Sequence, residues 1–186
     1  EPACAAESRE PRLRIRVEPE DFVVDEIPLY APSGEGGYTF VRVEKRLANS
    51  DDVARALARA AGVPPRDVGY AGRKDRRALT RQWFSVPGLA PELALALELP
   101  GVRVIEAARH PHKLRTGQLR ANRFEVRVRG ASDAARQRAE GVLAQILARG
   151  MPNRFGSQRF GRDGRNADRA RALLSGSGGS LDRRQA

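Results

Sequence analysis

Short alternating apolar runs, separated by charged residues, most limit what this chain can fold into. Phe124, Val126 and Val128 alternate with Arg123, Glu125, Arg127 and Arg129. Thr39, Val41 and Val43 share one side of the run from Tyr38 to Glu44, and Leu13, Ile15 and Val17 alternate with Arg14, Arg16 and Glu18. A period of two buries one face of a strand and leaves the other wet. Phe22-Val23-Val24, Trp83 to Val86 and Val102 to Ile105 read as further strands. Two segments carry helical spacing instead. Ser50 is a good N-cap, Asp51 and Asp52 suit the positive end of the helix dipole, and Val53, Ala56, Leu57, Ala60 and Ala61 form the apolar stripe. Gly62 and the Pro64-Pro65 pair end that helix. Ser132 caps a longer one, with Ala135, Ala139, Val142, Leu143, Ile146 and Leu147, that stops at Gly150. Residues 87–101 fit a loop or a short helix equally, and Asp168 to Leu174 fits one or two helical turns. The elements mix without βαβ regularity, so the expected class is α+β.

Residues 1–12 read as a flexible lead and 13–150 as the main domain; from 151 the texture changes to a run rich in Gly, Arg and Phe. Gly176 to Ser180, GSGGS, reads as a linker or as a chain cut short.

The charge balance narrows the partners. The net charge is +11, and of the 34 Lys and Arg residues only Lys45, Lys74 and Lys113 are lysine. Arginine presents a flat, permanently charged fork that suits phosphates and base faces. A skewed genome composition also favours Arg over Lys. A positive chain without a terminal charged tail points to a polyanion: RNA, DNA or an acidic membrane surface. Cys4 is the single cysteine, which excludes a disulfide framework and a Cys-based zinc site. His110 and His112 stand alone, without the further ligands of a metal site. No run approaches the about 18 apolar residues of a membrane helix. The first residues, EPACAAESREPRLR, contain no apolar signal segment, and a reducing, cytoplasmic setting is expected.

Four segments could carry chemistry. In GYAGRKDRRALTRQW, residues 69–83, Asp75 sits among Arg73, Lys74, Arg76 and Arg77. An ionised carboxylate there can act as nucleophile or base, and the cations would gather phosphates. On the residues alone, an Asp in a solvated charged turn is the commoner case. In Arg-Ala-Asn-Arg-Phe, residues 120–124, the Asn122 amide can read the adjacent N–H and C=O of uracil, and Phe124 offers a stacking face. An Asn closing a turn before a core Phe explains the same residues. In PNRFGSQRFGRDGRN, residues 152–166, two Phe-Gly units lie among arginines, including Arg159. That composition suits single-stranded or flipped nucleotides, or a Gly-rich loop with two core phenylalanines. In Glu20 to Glu26 the carboxylates flank an apolar strand, and solvated strand ends are the simpler reading. The chain contains neither a phosphate-binding G-x-x-x-x-G-K-[ST] loop nor a G-x-G-x-x-G helix opening.

GYAGRKDRRALTRQWF resembles the signature of the TruD-type tRNA pseudouridine synthases. PNRFGSQRFGRDGRN and LRANRFEVRV are similar to two further signatures of that family, and DFVVDEIPLYAPSGEG to its N-terminal strand and loop. The four stand in the family's order, from about Leu13 to Leu174. The resemblance implies a mixed, largely antiparallel sheet with flanking helices, and that 151–186 begin an inserted second domain. It implies isomerisation of a uridine in tRNA, that of position 13, to pseudouridine, with no cofactor or metal. It assigns Asp75 as the catalytic aspartate and Phe22, Asn122 and Phe124 as uracil contacts. Lys74, Arg73, Arg76 and Arg159 are candidate RNA-phosphate or Asp75-orienting contacts. The expected partner is tRNA, bound by a cytoplasmic monomer without a membrane. The chain departs from the family at Ala121, where Gly is usual. It also lacks the strands that return, in the family, to complete the catalytic sheet, so exposed apolar surface or an open sheet edge is expected. A non-catalytic RNA-binding module, or an inactive fragment that binds tRNA, is the alternative.

Overall fold

The computed structural model describes residues 12–152, 156–161 and 163–175. The chain divides into two compact units, Glu1–Ser132 and Asp133–Ala186. This break precedes the long helix of the second unit, whereas the sequence reading put the boundary at residue 150.

The first unit is a mixed sheet with one helical layer. Its elements are β1 (Phe22–Pro28), β2 (Tyr38–Arg46), α1 (Ser50–Ala61), β3 (Gly69–Tyr70), β4 (Leu79–Pro87), α2 (Pro91–Leu95), β5 (Val102–His110) and β6 (Leu119–Val126). The strand order is β5-β2-β4-β1-β6, with β3 paired to β4. Only β1 and β4 run parallel; the other pairs are antiparallel. Largely antiparallel pairing is what the alternating runs imply.

One register explains the core. Val41 and Val43 of β2 and Phe84 and Val86 of β4 face Val53, Leu57 and Ala58 of α1, all buried. Fully burying a Val or Leu is worth about 1.5–3 kcal/mol, so packing on the sheet holds α1 more than helix propensity does. The helix ends at Gly62, whose φ of 66° is left-handed, as expected of a glycine stop. At its other end the N-cap is Asn49, one residue earlier than expected, and Ser50 is buried as the first helical residue.

A second, aromatic cluster joins Phe40, Trp83 and Leu114. Gly69 makes room for it: a Cβ there would lie 2.1 Å from the Leu114 carbonyl oxygen. The same face continues as a charge ladder across four strands. Arg81 reaches Asp25 at 3.0 Å and Glu44 at 2.8 Å, and Arg103 reaches Glu44 at 2.9 Å.

Two expectations are corrected. Leu13, Ile15 and Val17 are exposed and form no strand; only Arg14 bridges to Arg129. Arg16, at φ 58°, breaks the extended run. The carboxylates of residues 20–26 are not all solvated ends, because Asp21 and Glu26 are buried. The Asp21 carboxylate accepts two hydrogen bonds from Arg129, each 2.8 Å, and others from the backbone of Val17 and Glu18. Chiefly through Arg129, its pKa is held down at about 2.

β6 is an outer strand of the sheet, and Phe124, Val126 and Val128 are exposed. The second unit contains α3 (Asp133–Arg149), a 3-10 turn at Ser157–Phe160 and α4 (Asn166–Leu174). α3 follows Ser132 and stops at Gly150, φ 80°, as read; its Val142, Leu143 and Leu147 are exposed. Residues 1–11, assigned to the flexible lead, and the GSGGS segment lie outside the described residues. Among the described residues, no helix is long and apolar enough to cross a membrane.

Candidate active site

Asp75 lies in the loop between β3 and β4, and buried polar side chains from four elements hold that loop from below. The Lys45 ammonium, at the end of β2, donates to the carbonyls of Asp75 (2.9 Å), Ala48 (2.9 Å) and Lys74 (3.3 Å). Lys45 is only 1 % exposed. Burial lowers its pKa to about 8, against the opposing pull of the Asp75 charge. The Ser50 hydroxyl of α1 donates to Gln82 Oε1 (2.6 Å) and accepts the Lys74 backbone N–H (3.0 Å). The Gln82 amide of β4 donates to the Gly72 carbonyl at 3.3 Å. Glu26 of β1 accepts the Trp83 N–H (3.1 Å) and pairs with the Lys74 ammonium (2.6 Å). Buried polar groups are costly unless partnered; here their partners are the backbone and neighbours of the Asp75 loop.

The Asp75 carboxylate itself is half exposed. It pairs with Arg16 at 3.2 Å, and the Arg16 guanidinium also lies 3.8 Å from the centre of the Phe22 ring. A cation over an aromatic face is an attractive arrangement. The left-handed turn at Arg16 that ends the expected strand thus belongs to the site.

A cleft of about 170 Å³ opens beside the carboxylate, lined by Val24, Arg73, Lys74, Asp75, Asn122 and Phe124. Strand pairing explains the convergence. Val24 of β1 is opposite Phe124 of β6, and Glu26 is opposite Asn122, so alternate residues meet on one face. The Phe22 and Phe124 rings lie 5.9 Å apart at 58°. Asn122 Oδ1 is buried and has no hydrogen-bond partner among the described residues.

The structure therefore brings Asp75, Asn122, Phe124, Arg73 and Lys74 to one cleft, with Phe22 against Phe124. The phosphate candidates diverge. Arg73 is exposed and pairs with Asp51 at 3.3 Å. Arg76 is exposed and donates to the Leu47 carbonyl at 3.2 Å. Arg159 is exposed in the second unit. Lys74 lines the cleft, but its side chain is only 7 % exposed and its ammonium pairs with the buried Glu26. Sequence reasoning missed Arg16, Glu26, Lys45, Ser50 and Gln82. Lys45 left a signal, because it continues the inward alternation of Thr39, Val41 and Val43.

The cleft thus joins a carboxylate on a braced loop, an exposed aromatic face and an amide oxygen without a hydrogen-bond partner among the described residues. The family model of tRNA pseudouridine synthase D (TruD) matches residues 5–175. The chain belongs to this family. It is 52 % identical over 162 residues to the tRNA pseudouridine synthase D of Anaeromyxobacter sp. (strain Fw109-5), covering 87 % of this chain and 46 % of that protein. The enzyme of the same name from Geobacter metallireducens is 52 % identical over 157 residues, covering 84 % and 39 %. A crystal structure titled as TruD from Methanosarcina mazei superimposes with a TM-score of 0.76 at 29 % identity, over 88 % of this chain and 38 % of that one. The chain thus spans less than half the length of these relatives.

Proposed function

We propose that the protein isomerises a uridine of tRNA to pseudouridine, with Asp75 as its catalytic carboxylate. The observation that carries this reading is the convergence of Asp75, Asn122 and Phe124 on one cleft, beside Phe22. The C1′–N1 bond breaks, the uracil turns while held, and a C1′–C5 bond forms. The C5 proton leaves and N1 gains one, so atoms and electrons balance without an oxidant or reductant. Asp75 either attacks C1′ or takes a proton from C2′; both routes need the sugar against this carboxylate. Phe124 and Phe22 supply stacking faces, and Asn122 Oδ1 accepts a uracil N–H.

Binding follows the same physics. Extruding a duplexed base costs a few kcal/mol, and one aromatic stack returns about 1–3 kcal/mol. Net affinity then falls to phosphate contacts, for which Arg73, Arg76 and Arg159 remain candidates. Position 13 of tRNA is the target that the family resemblance suggests, and the cytoplasm is where tRNA is met.

Asp75→Asn tests the reading in the full-length protein. Release of tritium from 5-tritiated uridine in tRNA should fall by roughly 10²–10⁴-fold or more, while tRNA affinity is kept or rises. Wild-type protein that releases no tritium from any tRNA, with a variant that behaves identically, overturns it.

A further inference from the structure

Two larger clefts lie beside the Asp75 cleft, and shared walls join all three. Arg73 lines both the Asp75 cleft and a neighbour of about 680 Å³. Lys113 and Arg115 line that neighbour and a third cleft of about 620 Å³. Arg66 adds a further cation to the second. Tyr30, Tyr38 and His112 wall the third.

The charged side chains lining this groove are of one sign. Among the described residues, no carboxylate lines the second or third cleft. Several arginines elsewhere are matched, Arg46 by Glu20, Arg55 by Asp52 and Arg103 by Glu44, and Arg73 at the start of the groove pairs with Asp51. Arg66 and Arg115 are exposed. The Lys113 ammonium donates to the neutral Arg66 carbonyl at 2.7 Å and has no carboxylate partner among the described residues. Concave surface lined by one sign of charge focuses the field on a polyanion. The far end adds rings. Tyr30 stacks on His110 at 5.0 Å and 16°, and the exposed His112 ring meets His110 at 6.1 Å. A basic track that ends on aromatic faces fits a single nucleic acid strand.

We propose that the RNA strand flanking the target uridine leaves the Asp75 cleft past Arg73 and follows this carboxylate-free groove. Its phosphates lie on Arg66, Lys113 and Arg115, and a base packs at the Tyr30–His112 end. The inference rests on the RNA-directed reading above and adds a path to it.

The test is binding of an unmodified, fluorescein-labelled tRNA transcript to full-length protein across a salt series. The Arg66→Glu/Arg115→Glu pair is compared with Arg55→Glu/Arg59→Glu, an equal charge change on exposed α1 residues outside the groove. The groove pair should weaken binding by about tenfold or more and flatten the slope of log K against log[salt] by about 1–2. The α1 pair should stay within about threefold with an unchanged slope. A 4-thiouridine placed beside the target should crosslink to Tyr30, Tyr38 or His112. Equal effects of the two pairs, or crosslinks only elsewhere, overturn the groove. Tritium release by the wild type is scored separately: release with an unaffected groove pair sinks the path and leaves the isomerase reading standing, whereas groove-dependent binding without release does the reverse.

Discussion

The underside of the Asp75 loop and the mouth of its cleft are built on opposite principles. Below, Lys45, Ser50, Gln82 and Glu26 are at most 3 % exposed, and each is bonded to the loop's backbone or to Lys74. Above, Phe124 is 59 % exposed and Arg73 is open, while the buried Asn122 Oδ1 has no hydrogen-bond partner among the described residues. The adjacent cations Arg73 and Lys74 fall on different sides of this divide. The buried side spends polar groups on holding the backbone of the Asp75 loop and the Lys74 side chain in place. The open side leaves the Phe124 ring and the Arg73 guanidinium at the surface, where the proposed substrate would cover them.

The largest effect should therefore come from below. Lys74→Met strands the buried Glu26 carboxylate, and removing one partner of a buried ion pair costs about 3–5 kcal/mol. That is a large share of the about 5–15 kcal/mol that typically holds a domain folded. Adding Glu26→Gln should recover much of it, because the Gln oxygen still accepts the Trp83 N–H. Arg73→Ala, one residue away but exposed, should lie within about 0.5 kcal/mol of wild type. Urea unfolding checks all three variants. Equal losses at positions 73 and 74 would break the contrast.

Phe124→Ala sharpens it from the other side. The ring stands largely in solvent, so its loss should barely move the melting temperature. It should weaken tRNA binding by about 1–3 kcal/mol, roughly 5- to 150-fold, as lost base stacking does. A strongly destabilised Phe124→Ala with unchanged affinity would mean that the ring serves the sheet and not the uracil.

How much of this was legible beforehand follows from the range of the interactions. Periodicity within a run announced β2 and α1, because burial on one face leaves a local trace; β1 showed as a short apolar run, and the alternation of β6 announced a strand whose Phe124 and Val126 are exposed. Asp75 was visible as one acid among cations, and the family resemblance joined it to Phe22, Asn122 and Phe124. The bracing was not visible. Glu26 reads as a solvated strand end until β1 pairs in parallel with β4, placing Val24 opposite Thr80 and bringing Glu26 to the Trp83 N–H. Ser50 reads as a cap, since Ser favours that position, but its hydroxyl is drawn instead to Gln82 and the Lys74 N–H. Arg16 sits in an alternating run that predicts a strand, and only its left-handed φ of 58° accompanies the turn toward Asp75. Such choices depend on partners tens of residues away, which local pattern does not encode.

The smallest effect should come from the face of the sheet that carries neither the brace nor the cleft. Glu44 accepts Arg81 and Arg103, the latter 70 % exposed. Burial alone would raise the Glu44 pKa, but the Arg103 and Arg81 hydrogen bonds outweigh it and hold the value below the ordinary 4.5. A carboxylate with a lowered folded pKa contributes stability above its unfolded pKa and loses it as pH falls through the folded value. Arg103→Ala removes part of that contribution, about 0–1 kcal/mol for so exposed a partner. The deficit against wild type should be present at pH 7 and shrink as acid protonates Glu44 in both proteins. Tritium release should not change, because Arg103 bonds neither the loop nor the cleft. Urea unfolding at pH 7 and pH 3.5 decides the matter: a deficit that grows on acidification would show that Arg103 stabilises the sheet through something other than the Glu44 charge.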